Sequence, residues 1–342
     1  MARVAINGFG RIGRLFFRQA FGHEALEIVA VNDLGDLENL AYLLSYDTVY
    51  GRWPHAVSCD AARGVLTVDG QDVKVLQVKD AATLPWKDLR IDVVIESTGA
   101  LESFEKAKVH LDAGAKRVVL TAPAKDAEGT AGGKTILMGV NDEHFSACTV
   151  TSNGSCTTNA SAPVIQALSE NPGVHKAVLS TVHAYTATQS IVDGPVKGGK
   201  DFRRGRAAAQ NFSPSTTGAA IAVSRVVPEL SGKFDGLAIR VPVPTVSLAD
   251  ITFLAKRRVT VDEINGILEE ASKLPRWEGI LKVTRDQVVS SDIVAEPYGA
   301  IVDLNFTKVI DGDLVKVLAW YDNEWGYVAT LLRHVRRAAE CT

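Results

Sequence analysis

The stretch from Arg3 to Asp33 restricts the fold more than any other part of the chain. Arg3-Val4-Ala5-Ile6-Asn7 is a short apolar run with β-branched residues and predicts a buried strand. It runs directly into Gly8-Phe9-Gly10-Arg11-Ile12-Gly13, after which Leu15, Phe16, Phe17 and Ala20 recur at helical spacing. Glycines at these intervals between a strand and a helix have a mechanical reading. Gly8 permits the tight turn, Gly10 lets the backbone approach a pyrophosphate, and Gly13 lets helix and strand pack closely. The pyrophosphate then rests on backbone N–H groups at the helix N-terminus. Glu27-Ile28-Val29-Ala30-Val31-Asn32-Asp33 reads as the second strand, and Asp33 falls 20 residues past Gly13. A carboxylate there accepts hydrogen bonds from ribose hydroxyls and repels a 2′-phosphate, so NAD is expected rather than NADP.

The rest of the first half alternates strands with helical stretches. Strands are expected at Ile91–Glu96, Arg117–Thr121, Ile136–Met138 and Thr149–Thr151, with a helix from about 102 to 112. This order predicts an α/β, Rossmann-type, doubly wound parallel sheet with ligands at the carboxyl ends of the strands. Thr98, Gly99 and Thr121 sit at such ends, either lining the cofactor cleft or simply forming loops. Between Ala56 and Val78, alternation broken by Arg-Gly and Asp-Gly turns suggests an antiparallel insertion.

Past Cys156 the pattern changes. Alternating runs at 176–183, 233–241, 245–256, 300–305 and 314–321, with helices at about 157–169, 216–227 and 261–272, predict an α+β catalytic domain on a mainly antiparallel sheet. Helical spacing returns from Glu324 to Ala339. The expected division is a dinucleotide-binding domain of residues 1–155 and 322–342 and a catalytic domain of residues 156–321. Between Thr186 and Phe212 lies a Gly-, Lys- and Arg-rich segment, long enough without periodicity to suggest a functional loop.

The chemistry centres on Ser152-Asn153-Gly154-Ser155-Cys156-Thr157-Thr158-Asn159, where a loop turns into a helix. A thiol at a helix N-terminus feels unpaired N–H groups and the positive end of the dipole, which favour thiolate. His183 follows, and an adjacent imidazole would depress the thiol pKa further or act as general base. The alternative is a small buried core cysteine and an unrelated strand-end histidine.

Bulk properties narrow the partners. The 342 residues carry a formal net charge of −3, which gives no general reason to expect nucleic acid or an anionic membrane surface. Apolar runs are too short to span a bilayer, and Met1-Ala2-Arg3 leads straight into a strand, so no secretory signal is expected. Four cysteines (Cys59, Cys148, Cys156, Cys341) in so long a chain suggest reduced thiols in a cytoplasm. Cys59 and Cys148 fall in expected strands. No cysteine–histidine cluster has metal-ligand spacing, so no metal is expected.

At this point the sequence resembles phosphorylating glyceraldehyde-3-phosphate dehydrogenases. The resemblance is carried by Asn7 to Arg14, Ser152 to Asn159, His183-Ala184-Tyr185-Thr186-Ala187-Thr188-Gln189, Ser215 to Ala220, Arg240-Val241-Pro242 and Tyr321-Asp322-Asn323-Glu324-Trp325-Gly326-Tyr327, in family order along the whole chain. It implies oxidation of glyceraldehyde 3-phosphate through a Cys156 hemithioacetal and thioester, His183 acting as base, with inorganic phosphate releasing an acyl phosphate. It implies that Thr186, Thr188 and Arg240 hold the substrate's phosphate, and that Ser155, Thr157, Thr217, Gly218 and Arg204 form the site for the attacking phosphate. Arg11, Ile12, Asp33, Lys79 and Thr121 would complete the NAD site, and Asn323 would hold the nicotinamide carboxamide. Taken singly, Thr216 could cap the helix after it and Asn323 could cap the last helix. The 186–212 segment resembles the family's S-shaped loop, which implies a homotetramer, and its Asp193-Gly194-Pro195 suits NAD.

The chain departs from the family at a few positions. Gly154 stands where alanine is usual, and its wider backbone range is expected to loosen the placement of Cys156 modestly. Lys79 stands where arginine is common, and Thr188 where some bacterial members have aspartate. Erythrose-4-phosphate dehydrogenase is the nearest rival, but it tends to lack the two threonines. Semialdehyde dehydrogenases lack the Ser-Thr-Thr-Gly and Asp-Asn-Glu-Trp-Gly blocks. A non-catalytic NAD- or RNA-binding protein would not require the Cys156–His183 pair.

Overall fold

A computed structural model describes residues 1–196 and 201–342. The chain divides into two compact units, one of residues 1–136, 141–154 and 331–342, the other of residues 137–140 and 155–330.

The first unit is built on a nine-stranded sheet. Ala2–Asn7 lies at its centre because Val4, Ala5 and Ile6 bury completely on both faces, as a parallel strand under two layers of helices must. Leu26–Asn32 pairs parallel on one side of it and Val93–Glu96 on the other. The strand order therefore reverses at the carboxyl end of Ala2–Asn7, which is where a crevice opens in such sheets. Arg117–Leu120, Val150–Ser152 and the two-residue Lys134–Thr135 continue the parallel ladder. On the far side Gln71–Leu76 pairs parallel to Leu26–Asn32, then antiparallel to Val65–Val68, which pairs with Val57–Asp60. The expected antiparallel insertion is thus present. Its Asp69-Gly70 turn has positive φ at both residues (46° and 81°), the geometry that suits a two-residue hairpin.

Several expectations are corrected. Ile136–Met138 is not a strand. The edge strand stops at Thr135, and Leu137 is apolar because it buries in the core of the second unit; a short apolar run does not distinguish extension from burial. The helix at 102–112 is two short pieces, Phe104–Ala107 and Val109–Asp112, joined through Lys108, whose dihedrals stay helical. Cys59 lies in a strand, but Cys148 follows the 3-10 turn Asp142–Ala147.

The second unit holds a seven-stranded sheet. Val174–Ala184 pairs antiparallel with Ser247–Ala255, which pairs antiparallel with Leu314–Tyr321, and that strand with Ala300–Ile310. The sheet is mainly antiparallel, with two parallel pairings, Val174–Ala184 to Phe234–Val241 and Leu281–Thr284 to Ala300–Ile310. One sheet face alternates into a core with the helices Cys156–Glu170, Ala219–Val226 and Val261–Ser272. Residues 216–218 are not helical as expected. Thr216 ends the strand Ser213–Thr216, Gly218 is the N-cap, and Thr217 Oγ1 accepts from Ala219 N.

Candidate active site

The glycine turn has the shape a dinucleotide requires. Gly8 has φ +97°, and a Cβ there would lie 2.6 Å from the backbone of Ser97 and Thr98; a Cβ on Gly13 would lie 2.1 Å from the Gly8 carbonyl oxygen. Both positions admit only glycine. The helix Arg11–Ala20 starts at Gly10 with no side-chain cap and no acidic residue in its first turn. A helix start of this kind suits an anion. The turn borders a cleft of about 790 Å³ lined by Gly8, Gly10, Asp33, Lys79 and Thr98, together with Asn7, Asn32 and Ser97. Gly99 and Thr121 line a smaller neighbouring pocket. The Arg11 guanidinium is engaged by the Asp47 carboxylate. Asp33 accepts from Phe9 N (2.6 Å) and Gly35 N (2.8 Å). It thereby clamps the glycine turn while each oxygen keeps a second lone pair for a ribose hydroxyl. These residues fit a bound NAD.

Beneath the cleft lies a buried network that no local pattern of residues signals. Asn7 Nδ2 donates to Glu96 Oε2 (2.6 Å), as does His110 Nε2 (2.9 Å), and Trp86 Nε1 donates to His110 Nδ1 (3.0 Å). An indole N–H only donates, so the His110 ring proton sits on Nε2. Burial alone would raise the Glu96 carboxyl, but hydrogen bonds from His110, Thr98 and Asn7 outweigh it and hold the pKa below its ordinary value. A depressed folded pKa contributes stability that is fully present above the unfolded value of about 4.3 and is lost as pH falls through the folded one. Glu96→Gln is therefore expected to cost about 2 kcal/mol at pH 7 and to flatten the loss of stability on acidification. Urea unfolding at pH 7 and pH 4 measures both, and an unchanged pH 7 midpoint would contradict the assignment.

In the second unit, Cys156 opens the helix Cys156–Glu170. Ser155 is the N-cap in a reciprocal capping box, its Oγ accepting from Thr158 N (3.1 Å) while Ser155 N donates to Thr158 Oγ1 (3.2 Å). The cap fixes the helix start and so the thiol. Gly154 has φ +63°, a left-handed conformation that alanine adopts only with strain. Glycine here suits the turn before Cys156.

Cys156 Sγ lies 3.4 Å from His183 Nε2. Arg240 pairs directly opposite His183 in the parallel ladder. His183 Nδ1 is 2.7 Å from the Ala184 carbonyl oxygen and 2.7 Å from Arg240 Nη1, which also donates to that carbonyl at 3.0 Å. These two neighbours select opposite tautomers. With its proton donated to Ala184 O, the ring turns a bare Nε2 to the sulfur.

The expectation of a resting thiolate is not supported by the electrostatics. Burial pushes the Cys156 thiol above its ordinary value, and Arg240 together with the N–H and hydroxyl of Thr157 pulls it back only in part. Burial, aided by the Arg240 charge, pushes the His183 imidazole down to about 3, against the Ala184 carbonyl. The helix terminus acts in the expected direction, but desolvation is larger. Both shifts favour the neutral thiol and the neutral imidazole.

The other candidate residues sort into three places. Thr186 and Thr188 hydroxyls are 2.9 Å apart, and Arg204 donates to Thr188 Oγ1 (3.2 Å) and Ser215 Oγ (3.1 Å). Arg204 thus stands beside the two threonines, and its charge also reaches Arg240. Thr217 and Gly218 form the start of the Ala219–Val226 helix. Thr157 is buried, its Oγ1 2.8 Å from the Tyr321 hydroxyl, which is itself 2.8 Å from Thr181 Oγ1. Tyr321 and Ser215 stand in blocks that carry the resemblance but have no role from it, and Thr181 stands in none. Thr181 shares the inward face with His183 by strand alternation, and that was the available signal.

Asn323 is buried, and its Oδ1 accepts from Ser247 Oγ (3.0 Å). It does not cap the last helix. Asp322 does so, its Oδ1 accepting from Glu324 N and Trp325 N. The loop at 186–212 folds back on itself. Gly194 N donates to Gly205 O and Ser190 N to Arg204 O, while Asp193 accepts from Ala207 N and Arg206. Residues 197–200 of the expected S-shaped loop lie outside the described residues.

A glycine-turn cleft in one unit, and a thiol–imidazole pair among arginines and hydroxyls in the other, define a nucleotide-dependent enzyme. Residues 2–104 match the family model of the glyceraldehyde 3-phosphate dehydrogenase NAD binding domain, and residues 155–323 that of the C-terminal domain. The chain is 48% identical over 328 residues to glyceraldehyde-3-phosphate dehydrogenase of Streptomyces coelicolor, covering 95% of each chain. It is 46% identical over 332 residues to that of Mycobacterium avium, again covering 95% of each. It is 45% identical over 338 residues to glyceraldehyde-3-phosphate dehydrogenase 2 of Bacillus subtilis, covering 97% of this chain and 96% of that one. The chain belongs to the glyceraldehyde-3-phosphate dehydrogenase family, and its cofactor is NAD. Among the described residues no helix is long and apolar enough to cross a membrane.

Proposed function

We propose that the chain converts D-glyceraldehyde 3-phosphate, NAD and inorganic phosphate into 1,3-bisphosphoglycerate, with Cys156 carrying the acyl group. The observation that carries this reading is the Cys156 Sγ–His183 Nε2 approach of 3.4 Å with Arg240 against the imidazole. Thr186, Thr188 and Arg240 hold the substrate phosphate. Its charge offsets the Arg240 cation, which adds to burial in keeping His183 weakly basic, so the base strengthens when substrate arrives.

His183 Nε2 takes the thiol proton as sulfur bonds to the aldehyde carbon, and the resulting alkoxide is protonated to the hemithioacetal. The Cys156 N–H, at the helix start, donates to the developing oxyanion; such a donor is typically worth about 3 kcal/mol. His183 then removes the hydroxyl proton as hydride leaves the same carbon, giving a thioester. NAD, when bound, supplies the hydride acceptor. Ser155, Thr157, Thr217, Gly218 and Arg204 receive inorganic phosphate, whose oxygen attacks the thioester carbonyl. The C–S bond breaks and the thiol is restored as the acyl phosphate departs. On the cofactor side, Gly8, Gly10, Arg11, Ile12 and Gly13 seat the pyrophosphate and Asp33 the ribose. Lys79, Thr98, Gly99 and Thr121 line the remainder, and Asn323 meets the nicotinamide carboxamide.

The working form is a cytoplasmic homotetramer. Val178 and Val182 on one strand, and Leu237 on its neighbour, share one sheet face in register and stay 37 to 50% exposed. Phe202, Phe212, Ile191 and Val192 in the 186–212 loop are exposed as well. Apolar area of this kind marks an interface, and a second copy of the chain covers it.

The test is NADH formation from glyceraldehyde 3-phosphate, with and without phosphate, then with NADP and with erythrose 4-phosphate. Phosphate-dependent turnover with NAD is expected. A strong preference for erythrose 4-phosphate would replace the substrate assignment. A mass in solution of one chain would remove the tetramer.

A further inference from the structure

We infer that Ser247 is a positioning residue that fixes which end of the Asn323 carboxamide is presented to the cofactor. The inference rests on Asn323 meeting the nicotinamide carboxamide, as proposed above.

Ser247 opens the strand Ser247–Ala255 and is buried. Ala184 N donates to its Oγ at 3.1 Å, and Ser247 Oγ donates onward to Asn323 Oδ1 at 3.0 Å. The direction matters. A serine hydroxyl has one proton, and a backbone N–H can only donate, so Ser247 meets Ala184 as acceptor and has its proton for Asn323. The Tyr321 hydroxyl also reaches Ser247, but it has Thr157 and Thr181 as partners at 2.8 Å each.

The two ends of a primary amide are nearly equal in size, so packing discriminates poorly between the amide and its half-turn flip. Hydrogen bonding discriminates well. With Oδ1 held by Ser247, the Nδ2 group remains as the donor that a ligand meets, and it suits a carbonyl oxygen. In the flipped state Oδ1 would face that carbonyl and repel it. Neighbouring Asp322 strengthens the assignment by taking over the helix cap. Its carboxylate accepts from Glu324 N, Trp325 N and Ala295 N, which leaves the Asn323 side chain clear of capping.

Ser247 does a second thing through the same oxygen. Ala184, whose N–H it accepts, is the residue whose carbonyl meets His183 Nδ1. One buried hydroxyl therefore ties the residue that orients the hydride acceptor to the backbone that orients the general base. Neither the glycine turn nor the nucleophile motif contains Ser247, so the sequence alone gave no reason to select it.

The test compares Ser247→Ala, Ser247→Cys and Ser247→Thr with Asn323→Ala in the full-length protein. Calorimetric titration gives NAD affinity without turnover. Oxidation of substrate deuterated at C1, followed by magnetic resonance of the reduced cofactor, gives the face to which deuterium is delivered. Iodoacetamide reports Cys156 directly, and thermal melting reports folding. Ser247→Ala is expected to weaken NAD binding about tenfold and to place deuterium on both faces, and to shift Cys156 alkylation only as far as the lost acceptor for Ala184 N moves His183. Ser247→Thr is expected to restore affinity and single-face delivery, and Ser247→Cys to fall between. If Asn323→Ala weakens binding and mixes the faces while Ser247→Ala does neither, the role of Ser247 is overturned. If Asn323→Ala also does neither, the nicotinamide contact itself is wrong. Should Ser247→Ala fail to fold, Ser247→Cys decides, because it keeps the volume and weakens the donor; wild-type affinity and single-face delivery in it would overturn the inference.

Discussion

Replacing Cys156 with serine is expected to lower NADH formation by a factor on the order of 10⁴ or more. Sulfur is already poorly ionised here, because burial raises the thiol and holds His183 near 3. A serine hydroxyl is a far weaker acid than a thiol, so the same imidazole cannot deprotonate it at useful rates. An oxygen ester is also a poorer acyl donor to phosphate than a thioester, so the second half of the reaction fails too. NAD binding should persist, since the residues of the glycine-turn cleft are untouched by the substitution. Absorbance assays and calorimetric NAD titration read the two quantities separately. Retention of most turnover would remove Cys156 as the nucleophile.

The next largest effect is expected from His183→Asn, a loss in kcat on the order of 10² to 10⁴. Asparagine approximates the volume and can hydrogen-bond, but it takes up no proton, so both the thiol and the hemithioacetal hydroxyl lose their base. The pH dependence of Cys156 alkylation separates this role from the effect of Arg240. In the free enzyme the thiol lies above its ordinary value of about 8.5, so alkylation should keep rising with pH beyond that point. Arg240 lowers the thiol pKa. Arg240→Leu should therefore move the midpoint further up, while the loss of a nearby cation raises His183. A midpoint that moves down in Arg240→Leu would contradict the electrostatic assignment.

What could be read from the residues depended on how local the cause was. The strand–glycine–helix unit was legible because Gly8 and Gly13 answer to steric demands made by neighbours close in sequence or by the adjoining strand end. The start of the nucleophile helix was legible because Ser155 and Thr158 cap it within one turn. The apolar run Ile136–Met138 misled because its burial comes from a core outside its own sheet. Asn323 as a helix cap misled because Asp322, one residue earlier, is better placed for that duty. The Glu96–His110–Trp86 network left no trace in periodicity, since each member sits on a different element.

The sequence by itself determined the dinucleotide turn, the placement of Cys156 at a helix start and the change from a parallel to a mainly antiparallel sheet, all of which follow from short-range sterics and side-chain alternation. Only the tertiary structure decided the chemistry of the site. His183 is 27 residues from Cys156 and 57 from Arg240; strand pairing sets His183 beside Arg240, and packing of the Cys156–Glu170 helix on that sheet brings the sulfur to them. Their protonation follows from how far that packing strips water from sulfur and imidazole, a quantity that no local pattern of residues encodes.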